Sequence, residues 1–132
     1  MRVFKVRKFA RFQRGERMSD AALCRAVRDA EAGLVDADLG HGLIKQRVAR
    51  PGQGKRGGYR TIIAFRIGER SVFLFGFAKS DRANLTADEL ASLAELGGNW
   101  LKANDEKIKE AIVADELTEV YCDEDGENEN QD

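Results

Sequence analysis

Histidine and proline each occur once in the 132 residues, and cysteine only twice. With His41 alone and no Cys-x-x-Cys pair, the ligand set of a structural zinc site is missing. Cys24 lies in an apolar helical pattern and Cys122 in an acidic segment, so both are expected as reduced thiols rather than as a disulfide framework. No run of eighteen apolar residues occurs, which argues against a membrane-spanning helix. The opening Met1-Arg2-Val3-Phe4-Lys5 lacks the apolar core of a secretory signal, so a cytoplasmic location is expected. The glycine-rich stretch contains no Gly-x-x-x-x-Gly-Lys-Ser/Thr spacing, which excludes a nucleotide-binding loop of that kind. No internal repeat is visible, and the length fits one domain.

What is present is charge, unevenly distributed. All 22 Lys and Arg residues lie between Arg2 and Lys109, whereas nine of the 23 acidic residues lie in 115–132. Residues 1–114 therefore carry a surplus of eight positive charges and 115–132 nine negative ones, behind an overall charge of -1. A basic body points to a polyanionic partner. The acidic end is expected to be a disordered tail from about residue 119, either solvating or lying over a basic groove.

Periodicity predicts a short strand over 3–6, a helical turn or two over 8–14, and a helix from Ser19-Asp20 to about Ala32, ended by Gly33. Gly40 and Gly42 flank His41 in a loop, where a structural role for the histidine is expected over a catalytic one. Strands are expected over 43–49, 59–67 and 71–78, the last two joined by a tight turn at 68–70. Between the first two lies Arg50-Pro-Gly-Gln-Gly-Lys-Arg-Gly-Gly58, which cannot be a regular element. Thr86 and Glu89 have the spacing of a capping box; their helix runs to about 103, with a possible break at Gly97-Gly98 and a core face including Trp100. A further helix is expected over 105–117. The order implies an α+β fold with a mostly antiparallel four-stranded sheet, two N-terminal helices and one or two C-terminal ones.

The cations concentrate on the central strands: Lys45, Arg47, Arg50, Lys55, Arg56, Arg60, Arg66, Lys79 and Arg82. Alternation puts Lys45 and Arg47 on one face of their strand and Arg60, Ile62, Ala64 and Arg66 on one face of the next. The same rule places Phe73, Phe75, Phe77 and Lys79 together. A cation inside a strand is costly unless its head group reaches water or an anion. Arg60 and Lys79, near strand ends, have both exits. Tyr59 reads equally as core or as a ring for a nucleobase. Asp81 reads as a loop cap or ion partner of Arg82.

The segment from Gly42 to Arg60, followed by Phe75-Gly-Phe-Ala-Lys79-Ser-Asp-Arg82 and Leu85-Thr-Ala-Asp-Glu-Leu90, resembles the HigB-like branch of the RelE/ParE toxin superfamily, over roughly residues 1–103. On that resemblance, 1–103 form the toxin domain, 104–118 an added helix and 119–132 the acidic tail. The resemblance implies a type II toxin that cleaves messenger RNA, often on translating ribosomes. It also implies a cognate antitoxin, commonly of helix-turn-helix type. The family's cleft cations map onto Lys45, Arg47, Lys55, Arg60 and Lys79, while no histidine stands at a matching place.

The expected reaction needs no metal or cofactor. Arg60 is expected to stabilise charge on phosphorus and Lys79 to move a proton or add charge, with Lys45, Arg47, Arg50, Lys55, Arg56, Tyr59 and Arg82 holding RNA. Two alternatives stay open: a ParE-type toxin directed at DNA gyrase, and an RNA-binding module without chemistry.

Overall fold

The structure, a computed structural model, describes residues 1–50, 58–78, 82 and 84–122. Its elements run β1 (Arg2–Val6), α1 (Arg7–Gly15), α2 (Asp20–Glu31), β2 (Ala37–Gly40), β3 (Leu43–Val48), β4 (Tyr59–Arg66), β5 (Arg70–Ala78), α3 (Ala87–Lys102), α4 (Asp105–Val113) and β6 (Leu117–Val120). The fold is α+β, as the sequence predicts, but the sheet has six strands among the described residues, ordered β2-β3-β4-β5-β1-β6. β1 lies parallel to β5, and the remaining pairs are antiparallel.

Helix ends are set by local chemistry. Ser19 Oγ accepts from the Ala22 amide at 3.1 Å, Asn104 Oδ1 accepts from the Lys107 amide at 2.8 Å, and Thr86 and Glu89 close the expected capping box. Three helices finish with paired backbone bonds around a residue of positive φ: Arg17 after α1, Gly33 after α2 and Asp115 after α4. In the last, the Asp115 and Glu116 amides donate to the Ile112 and Ala111 carbonyls. This closure ends α4 at Val113, not at the expected 117.

The freed chain returns as β6, pairing Leu117 with Val6 and Val120 with Val3. Residues 117–120 thus belong to the sheet, although an acidic tail was expected from 119. The second correction concerns cysteine. Cys24 on α2 and Cys122 just past β6 form a disulfide with their Cα atoms 5.7 Å apart, across 98 residues of sequence. Composition gave no hint of it, because only the placement of β6 beside β1 brings Cys122 to α2.

One face of the sheet is covered by two helices and the other in part by one. α1 and α2 cover one: the Phe9 ring lies 5.1 Å from Phe73, Phe12 meets Tyr59 edge-on at 5.7 Å, and Gln46 donates to the Ala26 carbonyl at 3.0 Å. α3 covers part of the other, and Gly97 sets its height. A Cβ there would stand 3.0–3.1 Å from Leu43, Ala64 and Leu74, so the glycine lets the helix backbone approach the strands. α3 accordingly runs unbroken through Gly97-Gly98.

A bulge between Ile62 and Ile63 against β5 changes the expected alternation. Phe73 points to α1, whereas Phe75 and Phe77, with ring centroids 6.1 Å apart, align with Ile62 and Arg60. The three phenylalanines do not share a face.

A cationic sheet face and its edge

On the α3 side, beyond the contact at Gly97, the ladder sets Arg47 of β3 opposite Arg60 of β4, and Arg60 opposite Phe77 of β5. Lys45 pairs with Ile62 one step along. Three cations from two strands therefore occupy one face: alternation predicts that Lys45 and Arg47 share it on β3, and the register adds Arg60. Arg60 is the singular member. The residue is 8 % exposed, and its Nη1 has no hydrogen-bond partner among the described residues. Burying a guanidinium donor without an acceptor costs on the order of 1–3 kcal/mol. Such a group is poised for an anion. The Trp100 Nε1 is likewise buried without a partner among the described residues, but it belongs to the region between α3 and α4.

Arg82 lies over this face, its guanidinium 5.5 Å from the Phe77 centroid. Its charge is already matched: both terminal nitrogens bond Glu89, whose carboxyl this hydrogen bonding holds at about 2. The Arg82 guanidinium is raised in turn, chiefly by the same bond. Arg82 thus ties the loop after β5 to the capping box of α3. Arg47 is steadied at its backbone by Asp36, which accepts from the Arg47 amide at 2.5 Å, while its exposed Nε stands 4.0 Å from the same carboxylate.

Two expected RNA contacts fall elsewhere. Tyr59 is 2 % exposed and lies on the opposite face among Phe12 and α1, so its ring cannot stack on a base. Alternation sends the side chain of Tyr59, the residue before Arg60, to the other side of the sheet, and its hydroxyl donates toward the Glu16 carbonyl. Arg50 follows it there, with Nε 3.2 Å from the Tyr59 hydroxyl and its guanidinium over the ring. Lys55, Arg56, Lys79 and Asp81 lie outside the described residues.

Arg66 and Arg70, at the far end of the β4–β5 hairpin, have a structural use. Arg66 donates to the Leu101 carbonyl at 3.1 Å, and Arg70 to those of Trp100 and Ala103 at 2.7 and 2.8 Å. They complete the C-terminal end of α3, where cations are favoured. His41, with φ +55, occupies the two-residue turn between β2 and β3 beside Gly42 at φ +77. Four residues of β3 separate that turn from Arg47, roughly 13 Å of strand, so the histidine is remote from Arg60.

α1 adds cations beyond those of the strands. Arg7, Lys8, Arg11 and Arg14 all lie exposed on it, with no acidic residue in the helix. Spacings of three and four in that segment carried the signal. Among the described residues no three His, Cys, Asp or Glu side chains gather as a metal site, and no helix is long and apolar enough to cross a membrane.

The fold is thus a small α+β domain whose mixed sheet carries, on the face that α3 covers in part, an arginine with one nitrogen that has no hydrogen-bond partner among the described residues. The chain belongs to the RelE family: the model described as RelE toxin of RelE / RelB toxin-antitoxin system matches residues 1–120. That range includes β6 and stops short of the acidic terminus. Membership makes the chain a toxin of a toxin–antitoxin pair and implies an antitoxin partner. No curated protein matches it.

Proposed function

We propose that the protein is a metal-independent endoribonuclease that cleaves messenger RNA on translating ribosomes, within the HigB-like branch of its family. The observation that carries this reading is the buried Arg60 Nη1, without a partner among the described residues, on the sheet face it shares with Lys45 and Arg47. In such cleavage the 2′-hydroxyl attacks the adjacent phosphorus in line and the 5′-oxygen leaves, giving a cyclic phosphate. Negative charge builds on the non-bridging oxygens at the transition state. Arg60, held by strand packing and short of one acceptor, supplies a donor that needs no reorganisation when that charge appears. Lys45 and Arg47 attract the flanking backbone, with Lys55 and Arg56 from the glycine segment assigned the same task. Lys79 is assigned the proton transfer.

Arg60→Ala should lower cleavage about a hundredfold, equivalent to losing about 3 kcal/mol of transition-state stabilisation. Mapping transcript 5′ ends after induction in a bacterium checks this. Intact transcripts accompanied by a DNA-damage response would replace the nuclease reading with the gyrase-directed one.

A further inference from the structure

β1 stops pairing with β5 at Lys5 and Phe73, so beyond that point no strand lies beside this edge of β5 among the described residues. A cleft of about 270 Å³ opens there, lined by Lys8, Phe9, Arg11, Phe12, Phe75 and Gly76. Two cations, three aromatic rings and no acid form its walls. The Lys8 ammonium sits 5.4 Å from the Phe75 centroid. Neither Lys8 nor Arg11 has an ion pair among the described residues. Gly76 keeps one wall flat, since a Cβ would meet the Phe12 ring at 2.5 Å. Phe75 and Lys8 also line a second cleft against Asp88, Glu89, Ser92 and Leu93 of α3, so Phe75 reaches both sides of the sheet edge.

The cleft opens on the α1 side of the β5 edge and meets the Arg60 row, on the α3 side, only at Phe75. Phe75 is the diagonal neighbour of Arg60 across the β4–β5 ladder, a separation of roughly 7–8 Å. That is about the span of one to two nucleotides of extended RNA. Aromatic walls accept any base face, and cations beside them accept the adjoining phosphates.

We propose that the cleft is a second subsite for single-stranded RNA. It takes an unpaired base beside the cleaved bond, stacked on Phe75 and Phe12, with the next phosphates on Lys8 and Arg11. The proposal rests on the RNA-cleavage reading and extends it around the β5 edge. Flat aromatic walls with cations at the rim favour a nucleotide over an acidic peptide, for which the rings would be superfluous.

The test uses the full chain and a single-stranded RNA methylated at the 2′-oxygen of the cleaved bond, with 2-aminopurine at successive positions. Phe75→Leu should weaken binding about tenfold and abolish the fluorescence quench at one position only. Lys8→Ser with Arg11→Ser should flatten the plot of log affinity against log salt by about 1.4. Because both residues are exposed, the second variant stays informative if Phe75→Leu fails to fold. Unchanged affinity and slope in variants that melt normally overturn the subsite, even where Arg60→Ala abolishes cleavage of ordinary RNA. Cleavage that survives Arg60→Ala defeats the nuclease assignment instead. Variants that keep RNA affinity but lose the antitoxin make the cleft a protein-docking surface and likewise overturn the proposal.

Discussion

Arg60, the residue proposed to stabilise charge on phosphorus, illustrates how a buried cation can weaken the fold that holds it. The residue is buried opposite Arg47 and its Nη1 has no acceptor among the described residues, so desolvation and like charge both act against the folded state. Arg60→Met keeps the volume and removes the charge. The variant should melt at least as high as the parent while cleaving RNA about a hundredfold more slowly, and inorganic phosphate should raise the melting temperature of the parent alone. Parallel melts with and without phosphate decide this. Glu89 shows the opposite case. Its carboxyl is held at about 2 against an ordinary 4.5, mainly by its bonds to Arg82 and also by the Thr86 amide. A depressed carboxyl pKa stabilises the fold above the unfolded value and ceases to do so as pH falls through the folded one. Glu89→Gln should therefore melt below the parent at neutral pH, and the gap should close between about 4.5 and about 2. A constant gap across that range would mean that the bond to Arg82 is not what holds the loop.

At the scale of elements, the two adjacent glycines of α3 have opposite uses. Gly97 faces Leu43, Ala64 and Leu74 at 3.0–3.1 Å from where a Cβ would stand, whereas Gly98 has nothing within 4 Å. Gly98→Ala should stabilise the protein by roughly 0.5–1 kcal/mol through helix propensity. Gly97→Val should destabilise it by about 1–3 kcal/mol, because the helix must lift from the sheet. Urea titrations of the two variants check both signs. The helix pattern and the Gly-Gly pair were legible in the sequence; that one glycine would seat the helix was not, since the atoms it spares belong to β3, β4 and β5. The end of α4 was hidden for a related reason. Asp115 adopts φ +62 where glycine is the usual signal, so periodicity ran past it to 117.

The whole molecule is closed by its last strand. β6 is four residues long at the sheet's edge, and its pairing with β1 is reinforced by the Arg2–Glu119 ion pair, with bonds of 2.8 and 2.9 Å. The Cys24–Cys122 disulfide fastens it to α2 across 98 residues. Cross-linking so distant a pair restricts the unfolded chain, and a stabilisation of about 2–4 kcal/mol is expected. Reductant should lower the melting temperature of the parent and leave Cys122→Ser unmoved, as calorimetry would show. The same closure settles where the acidic terminus can be trimmed: removal must start after Cys122, because a cut at 119 would take half of β6 with it.

The sequence alone determined the α+β class, the capped helices, the β3–β4–β5 segment, and the sharing of one face of β3 by Lys45 and Arg47; the β3–β4 register added Arg60 to that face. Apart from that register, these features follow from contacts between near neighbours and from the two-residue period of a strand, which one chain segment carries within itself. Only the tertiary structure decided that Tyr59 and Arg50 turn to α1, that Phe73 parts from Phe75 and Phe77, that β2 and β6 extend the sheet to six strands, and that Cys24 meets Cys122. Each depends on a bulge or on a pairing between residues far apart in the chain, and an isolated segment holds no information about which distant strand will lie beside it.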